Sequence, residues 1–290
     1  MNSNPILQNK LYGMDNFFTQ FVKLFSNNKL PNKIILSGKK GIGKSTLAYH
    51  FLNYVFSINE KNSYNLETKE INLENKSYKL IKGKTHSNFH LVDLKNDKNE
   101  IEISQIRKMI EFTNKSSFNN LPKFILIDNI ENLNINSLNA LLKIVEEPNL
   151  NVFFILIYNI NKKISSTLKS RCIEFKINLS FAESIDITNK LLNKNLSDII
   201  NNDLITYYNT PGDYINLIKF SKEYDVDLQN ITLNNFLLLI MNKNYYRLNN
   251  FIKLNIFCYI ELFFLRIFSN LKNKNKMMSI YTKFINKIYY

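Results

Sequence analysis

A glycine-rich segment carries the clearest chemical pattern in this sequence. Residues 38–45 match G-x-x-x-x-G-K-[ST], a loop whose backbone N–H groups surround phosphate oxygens. Three of the six glycines of the chain fall in this loop: Gly38, Gly41 and Gly43. We expect Lys44 to reach the β- and γ-phosphates and Ser45 to hold Mg²⁺, with Thr46 beside it on the following helix. The loop therefore predicts a binding site for ATP or ADP with Mg²⁺.

A second candidate for this site is Asp128, which follows the apolar run Phe124–Ile127. An aspartate at the carboxyl end of such a strand lies beside the phosphate loop and can accept a hydrogen bond from metal-bound water. ATPases of this type usually carry a glutamate next, whereas this chain has Asn129, and an amide cannot take a proton. Glu131 is interpreted as a solvated acid at a helix start. The sequence predicts nucleotide binding with little hydrolysis.

Arg171 is the third candidate because arginine is scarce in this chain. Among 38 basic residues there are four arginines: Arg107, Arg171, Arg247 and Arg266. Arg171 lies in the triplet Ser170-Arg171-Cys172, after the short Ser/Thr-rich turn 165–167. Its position alone leaves open an ordinary solvated or salt-bridged side chain.

These residues need a scaffold that brings strand ends together. A strand over 33–37, the loop and a helix over 45–56 give the strand–loop–helix order that a phosphate loop requires. Four further strands are predicted after it: 91–94, 123–128, 152–157 and 171–175. Amphipathic helices are predicted around 103–110 and 138–145, the latter stopped by Pro148. This alternation predicts a parallel sheet with helices on both faces.

The strand pattern ends near residue 176, and this change defines the expected domains. We expect a nucleotide-binding α/β domain over 1–175, a small helical lid domain over 176–228 and a helical C-terminal domain over 229–290. Residues 58–88 are polar and lack a sustained period, so they are interpreted as an insertion or long connection.

Composition excludes several classes of protein. Two cysteines are too few for a disulfide framework or a Cys-rich zinc site, and no N-terminal segment has the pattern of a signal peptide. The apolar stretch 251–268 contains three charged residues, which favours a helix of a soluble bundle over a membrane span. We therefore expect a cytoplasmic protein without membrane contact. The net charge of +14 comes mostly from lysine and is weak support for nucleic-acid binding.

Taken in order, these motifs resemble the AAA+ clamp-loader subunits of bacterial DNA polymerase III. The resemblance rests on the loop 38–45, the strand ending at Asp128, the run L-N-A-L-L-K-I-V-E-E-P over 138–148, and Ser170-Arg171-Cys172. It implies an α/β P-loop domain, a lid domain and a C-terminal collar domain that holds a hetero-pentamer together. The implied partners are the gamma/tau and delta subunits, with the sliding clamp and primed DNA reached through the complex.

The resemblance also assigns roles to single residues. Arg171 matches an arginine finger that acts on a neighbour's ATP, and Asn159 lies near the family's polar γ-phosphate sensor, although a plain strand-end asparagine is equally compatible. Gly212 stands where hydrolysing members carry a second sensing arginine. The four-cysteine zinc module of many members has no match here, and His86 and His90 are too few to hold zinc. The resemblance thus implies a stator subunit, without zinc, that takes part in clamp loading.

Two alternatives remain from the sequence. One is the ATP-hydrolysing subunit of the same family, against which Asn129 and Gly212 count. The other is a P-loop nucleotide kinase, which needs an acceptor pocket and a lid rich in arginine. Turnover of ATP by the purified chain, with or without an acceptor, distinguishes all three.

Overall fold

The computed structural model describes residues 4–95, 98–115 and 121–270, together with Ser279, Thr282 and Lys283. The chain divides into two compact units, residues 1–187 and 188–290. The finer division into a lid and a C-terminal domain at residue 228 stays a prediction. Most of the last twenty residues of the predicted third domain lie outside the described residues.

Five parallel strands form the sheet of the first unit: β1 (Lys33–Gly38), β2 (Phe89–Val92), β3 (Lys123–Ile127), β4 (Val152–Asn159) and β5 (Ile173–Lys176). Their order across the sheet is β2-β3-β4-β1-β5. Parallel neighbours need crossover connections, and helices supply most of these connections. As a result the carboxyl ends of β1, β3 and β4 meet at one edge, where the candidate site lies.

Seven α-helices begin among the described residues of this unit: α1 (Asp15–Ser26), α2 (Lys44–Ser57), α3 (Lys76–Lys82), α4 (Ile103–Asn114), α5 (Ile135–Glu146), α6 (Ser166–Ser170) and α7 (Phe181–Leu192). Alternate residues of β1 point to opposite faces of the sheet. Ile34 shares a buried cluster with Phe51 of α2, whereas Ile35 belongs to a second cluster with Leu141 of α5. Helices cover both faces, which confirms the predicted α/β fold class with its parallel sheet.

Some boundaries differ from those predicted. Strand β2 begins at Phe89, two residues before the predicted start at Leu91. Strand β5 begins at Ile173, since Arg171 is the residue that ends α6 and takes a helical conformation. The stretch 58–88, predicted as an aperiodic connection, contains α3, whose N-terminus is capped by the side chain of Asn75.

Among its described residues the second unit contains helices and no strand: α8 (Pro211–Tyr224), α9 (Leu233–Asn242), α10 (Tyr245–Leu248) and α11 (Asn250–Asn270), with two single-turn 3₁₀ helices before them. The rings of Phe236 and Tyr259 pack 5.2 Å apart between α9 and α11. Arg266 of α11 donates to Asp203 at 2.6 Å. Within the described ranges, no helix is both long and apolar enough to cross a bilayer.

Candidate nucleotide site

The glycines of the loop meet two separate backbone requirements. Gly43 precedes α2 with φ = 99°, a conformation that side-chain-bearing residues rarely adopt. Gly38 ends β1, and a Cβ there would lie 2.4 Å from the backbone oxygen of Ile177. Glycine is therefore required at Gly43 by conformation and at Gly38 by close packing, while Gly41, also at positive φ, turns the exposed middle of the loop.

Lys44 points back into this loop. Its Nζ donates to the backbone oxygens of Gly38 at 2.9 Å and Lys39 at 2.6 Å, and the residue is 5% exposed. Burial lowers the pKa of Lys44 to about 8, although the carboxylates of Asp128 and Glu131 favour its charged form. The chain thus holds a desolvated ammonium within the loop, where it can bind an anion.

Ser45 and Asp128 form the polar contact next to Lys44. The Ser45 hydroxyl donates to Asp128 Oδ2 at 2.7 Å. Burial raises the pKa of Asp128 to about 6, and the hydrogen bond from Ser45 opposes that rise. Hydroxyl and carboxylate oxygens are ligands that Mg²⁺ prefers, so these two residues fit a nucleotide-bound Mg²⁺. Thr46 lies half-buried in the first turn of α2, beside them.

Asn129 makes a side-chain contact that sequence reasoning missed. Its φ is 57°, and its side-chain Nδ2 donates to Asp93 Oδ1 at 2.7 Å. Asp93 directly follows β2, and Asp128 directly follows β3. Since Val92 and Ile127 are paired in the sheet, the two aspartates occupy equivalent positions at the ends of neighbouring strands. The sequence signal was Asp93 itself, an acid that directly follows the apolar pair Leu91-Val92 of a predicted strand. The result is an amide, tied to a neighbouring carboxylate, in the place after Asp128.

Glu131 also belongs to this edge of the sheet. It lies half-buried on a 3₁₀ turn, Ile130–Asn132, and its Oε2 accepts a hydrogen bond from the backbone N–H of Asn159 at 3.2 Å. Glu131 does lie at a helix start, as predicted, but this contact and its partial burial correct the interpretation of it as a solvated acid. Asn159 is paired with Gly38 in the sheet, and its side-chain Oδ1 accepts from the backbone N–H of Asn161. The structure thus places Asn159 beside the loop.

Arg171 lies outside this group of residues, at the end of α6. Its Nη1 donates to the backbone oxygen of Thr167 at 3.0 Å, and its Nη2 lies 3.4 Å from Glu146 Oε1 at the end of α5. The side chain is 31% exposed. The contacts described for Arg171 thus include none with the loop of its own chain, and its side chain is half-buried.

The two histidines considered for zinc have different surroundings. His86 packs on Phe56 in a tilted arrangement and contacts the Ser77 hydroxyl, while His90 stacks on Phe112. Burial lowers the pKa of both imidazoles. Across the part of the chain that the structure describes, no three His, Cys, Asp or Glu side chains form a group that could hold a metal ion.

Gly212 belongs to the second unit. It is the second residue of α8, after Pro211, and Thr210 and Asp213 form a reciprocal capping box at this helix start. The local sequence Thr-Pro-Gly-Asp is therefore explained by helix initiation. No arginine is present in this turn.

A parallel sheet, a glycine loop at the end of β1 and an aspartate at the end of β3 define an α/β protein of the P-loop class. Sequence comparison then identifies the family. Residues 13–180, more than half of the chain, match the family described as DNA polymerase III, delta subunit, and the chain belongs to this family. Membership confirms the resemblance to bacterial clamp-loader subunits.

Individual relatives agree with this assignment. The chain is 28% identical over 187 residues to DNA polymerase III subunit delta' of Buchnera aphidicola subsp. Schizaphis graminum, covering 64% of this chain and 54% of the relative. It is 31% identical over 179 residues to the delta' subunit of Buchnera aphidicola subsp. Baizongia pistaciae, covering 60% and 49%. To subunit gamma of the former organism it is 34% identical over 163 residues, covering 56% and 42%. The chain spans about half the length of these relatives.

Proposed function

We propose that this chain is a delta'-type stator subunit of the DNA polymerase III clamp loader, which binds nucleotide with little or no turnover. The observation that carries the proposal is the combination of an intact loop with Asn129. Lys44 and the Ser45–Asp128 pair fit a Mg²⁺-nucleotide, whereas the residue after Asp128 is an amide bonded to Asp93. Bound Mg²⁺ would neutralise phosphate charge, and Lys44 would hold the phosphates.

The role in clamp loading depends on neighbours. A helix-end arginine that is part-exposed, and whose described contacts include none with its own loop, suits an arginine finger that acts on an adjacent subunit's ATP. We propose gamma/tau and delta subunits as partners in a hetero-pentamer, with sliding clamp and primed DNA engaged by the complex. We propose that the chain acts in the cytoplasm.

The C-terminal helices would form the collar of this assembly. Large apolar side chains of α9 and α11 are exposed: Leu238, Met241, Leu254, Phe257 and Leu265. Of the side chains described on α11, only Ile252 and Tyr259 are buried, although the helix is apolar on most sides. Such a surface is typical of helices that pack against another subunit.

The direct test is nucleotide binding and turnover by the purified chain. We expect saturable binding of ADP and ATP in the presence of Mg²⁺, with no steady-state phosphate release above that of a Lys44→Ala control. Absence of binding would exclude nucleotide from the function, and multiple turnovers would exclude the stator assignment.

A second candidate is the hydrolysing gamma-type subunit. The 34% identity to a gamma subunit favours it. So does the carboxylate of Asp93, because it contacts Asn129 and thus supplies an acid next to the position where hydrolysing relatives carry a glutamate. Turnover by the chain alone, lost on Asp93→Asn, would support this candidate over the stator.

A further inference from the structure

The side chain of Arg171 makes its contacts on two sides. One side is fixed to its own helix, because Nη1 donates to the backbone oxygen of Thr167, which also accepts a hydrogen bond from the Ser170 hydroxyl at the end of α6. The other side, at Nη2, faces the carboxylate of Glu146 at 3.4 Å. The first contact orients the arginine, and the second supplies an anion where a finger would meet phosphate.

The ion pair between Glu146 and Arg171 is one that can be broken at low cost. Glu146 is the last residue of α5, its side chain is 60% exposed, and that side chain has no other hydrogen bond or ion pair among the described residues. Exposed ion pairs of this length are weak and are easily exchanged. A phosphate group, with more charge and several oxygens, is a stronger partner for a guanidinium than one solvated carboxylate.

We propose that Glu146 is a resident counter-ion that holds the Nη2 side of Arg171 and is displaced by the phosphate oxygens of a neighbouring subunit's nucleotide. The inference rests on the proposed finger role of Arg171. The Nη1–Thr167 contact can persist during this exchange, so the arginine keeps its orientation while one carboxylate is replaced by phosphate. Glu146 is therefore a positioning residue that competes with the nucleotide for Arg171.

The competition predicts a specific kinetic change. Breaking the Glu146–Arg171 pair is needed both in the complex with ATP and in the transition state, so it affects KM and leaves kcat unchanged. Glu146→Gln should lower the KM for ATP of the reconstituted, DNA-stimulated loader by up to about fivefold, the ratio that corresponds to about 1 kcal/mol.

The chain offers a matched control at the next position. Glu147 is also exposed and makes no hydrogen bond or ion pair with Arg171, so Glu147→Gln should leave KM unchanged. In an Arg171→Ala background, Glu146→Gln should have no effect, because Glu146 acts through the arginine. All four variants are measured in the loader assembled with its cognate ATPase subunits.

The outcomes separate this inference from the proposed function. A lower KM for Glu146→Gln alone, lost in the Arg171→Ala background, supports the counter-ion role. An unchanged KM, a lower kcat, or the same shift in Glu147→Gln overturns it while Arg171→Ala still lowers ATPase activity. If Arg171→Ala itself has no effect, the finger assignment fails, and the inference fails with it.

Discussion

The phosphate loop and the insertion over 58–88 lie at opposite ends of α2 and are organised by different means. The loop depends on glycines within a few residues, above all Gly43 at φ = 99°. The insertion depends on Glu60, which accepts hydrogen bonds from Asn75 Nδ2 and from the Ser77 hydroxyl, each at 2.6 Å. The backbone geometry of the loop requires particular residue types at fixed spacings, so the loop appears in the sequence as a motif. Hydrogen bonds between residues far apart in the sequence require no such spacing, so the fold of the insertion does not appear as a motif.

The insertion is also fixed to α2 by buried polar contacts. His50 of α2 contacts the Tyr64 hydroxyl through Nδ1 at 2.9 Å and the backbone oxygen of Gln8 through Nε2 at 3.1 Å. Burial lowers the pKa of His50 to about 4, so the imidazole is neutral at pH 7. The same helix therefore presents phosphate-binding groups at its first turn and supports the insertion further along.

The largest expected effect is on the loop. Lys44→Ala removes the ammonium that would contact two phosphates, so nucleotide affinity should fall about 100-fold or more, or about 2.8 kcal/mol. Titration with a fluorescent ADP measures the loss. The free energy of unfolding should change by less than about 1 kcal/mol, since the substitution also removes a buried charge.

Lys40→Ala is the matched control for this variant. Lys40 lies in the same loop but is exposed, so its loss should alter affinity by no more than about threefold. Equal losses of affinity in the two variants would contradict the specific role of Lys44.

A substitution in the insertion should lower the stability of the protein and leave its nucleotide affinity nearly unchanged. Glu60→Ala removes the carboxylate that accepts from both Asn75 and Ser77, so these donors keep the backbone oxygens of Asn62 and Phe56. This loss should cost about 2 kcal/mol in the free energy of unfolding, measured by urea denaturation. Nucleotide affinity should stay within about twofold, because Glu60 and its two donors lie beyond the far end of α2. A large loss of ADP binding would show that the two regions are coupled.

Glu67→Ala is the corresponding control. Glu67 lies in the same insertion and is exposed, with no side-chain hydrogen bond or ion pair among the described residues. Its replacement should change stability by about 0.5 kcal/mol or less. Equal destabilisation by both variants would mean that charge in this segment, and not the hydrogen bonding of Glu60, supports the fold.

Local patterns were sufficient for most of the sheet and for the loop. The apolar run before Asp128 predicted β3, and the helix stop at Pro148 agrees with the end of α5 at Glu146. These features depend on residues that are neighbours in sequence, where strand and helix periods act directly. The sequence also predicted that Lys44, Ser45 and Asp128 lie close together, because the carboxyl ends of parallel strands lie at the same edge of the sheet.

The pairs that sequence patterns did not predict join residues far apart along the chain. Asn129 and Asp93 are 36 residues apart, and Arg171 and Glu146 are 25 apart. No single-sequence period encodes such pairs. Glu131 could have been found, since it follows Asp128 by three residues and so must lie near the end of a neighbouring strand.

The last expected effect concerns pH and applies to the loop alone. Lys44, with a pKa of about 8, must be protonated to hold phosphate, so Mg-ADP affinity should fall by up to tenfold per unit above that pH. Asp128, with a pKa of about 6, must be ionised to serve Mg²⁺, so affinity should also fall below pH 6. Isothermal titration from about pH 5 to about pH 9.5 should therefore give a bell-shaped profile.

A second variant separates the protein's acid limb from the titration of the nucleotide itself. ADP also gains a proton near pH 6, so part of the acid limb belongs to the ligand. Asp128→Asn removes the carboxylate, and its acid limb should be shallower while the alkaline limb of Lys44 remains. An unchanged acid limb would mean that Asp128 does not serve the metal. A missing alkaline limb in the native chain would mean that Lys44 stays charged throughout.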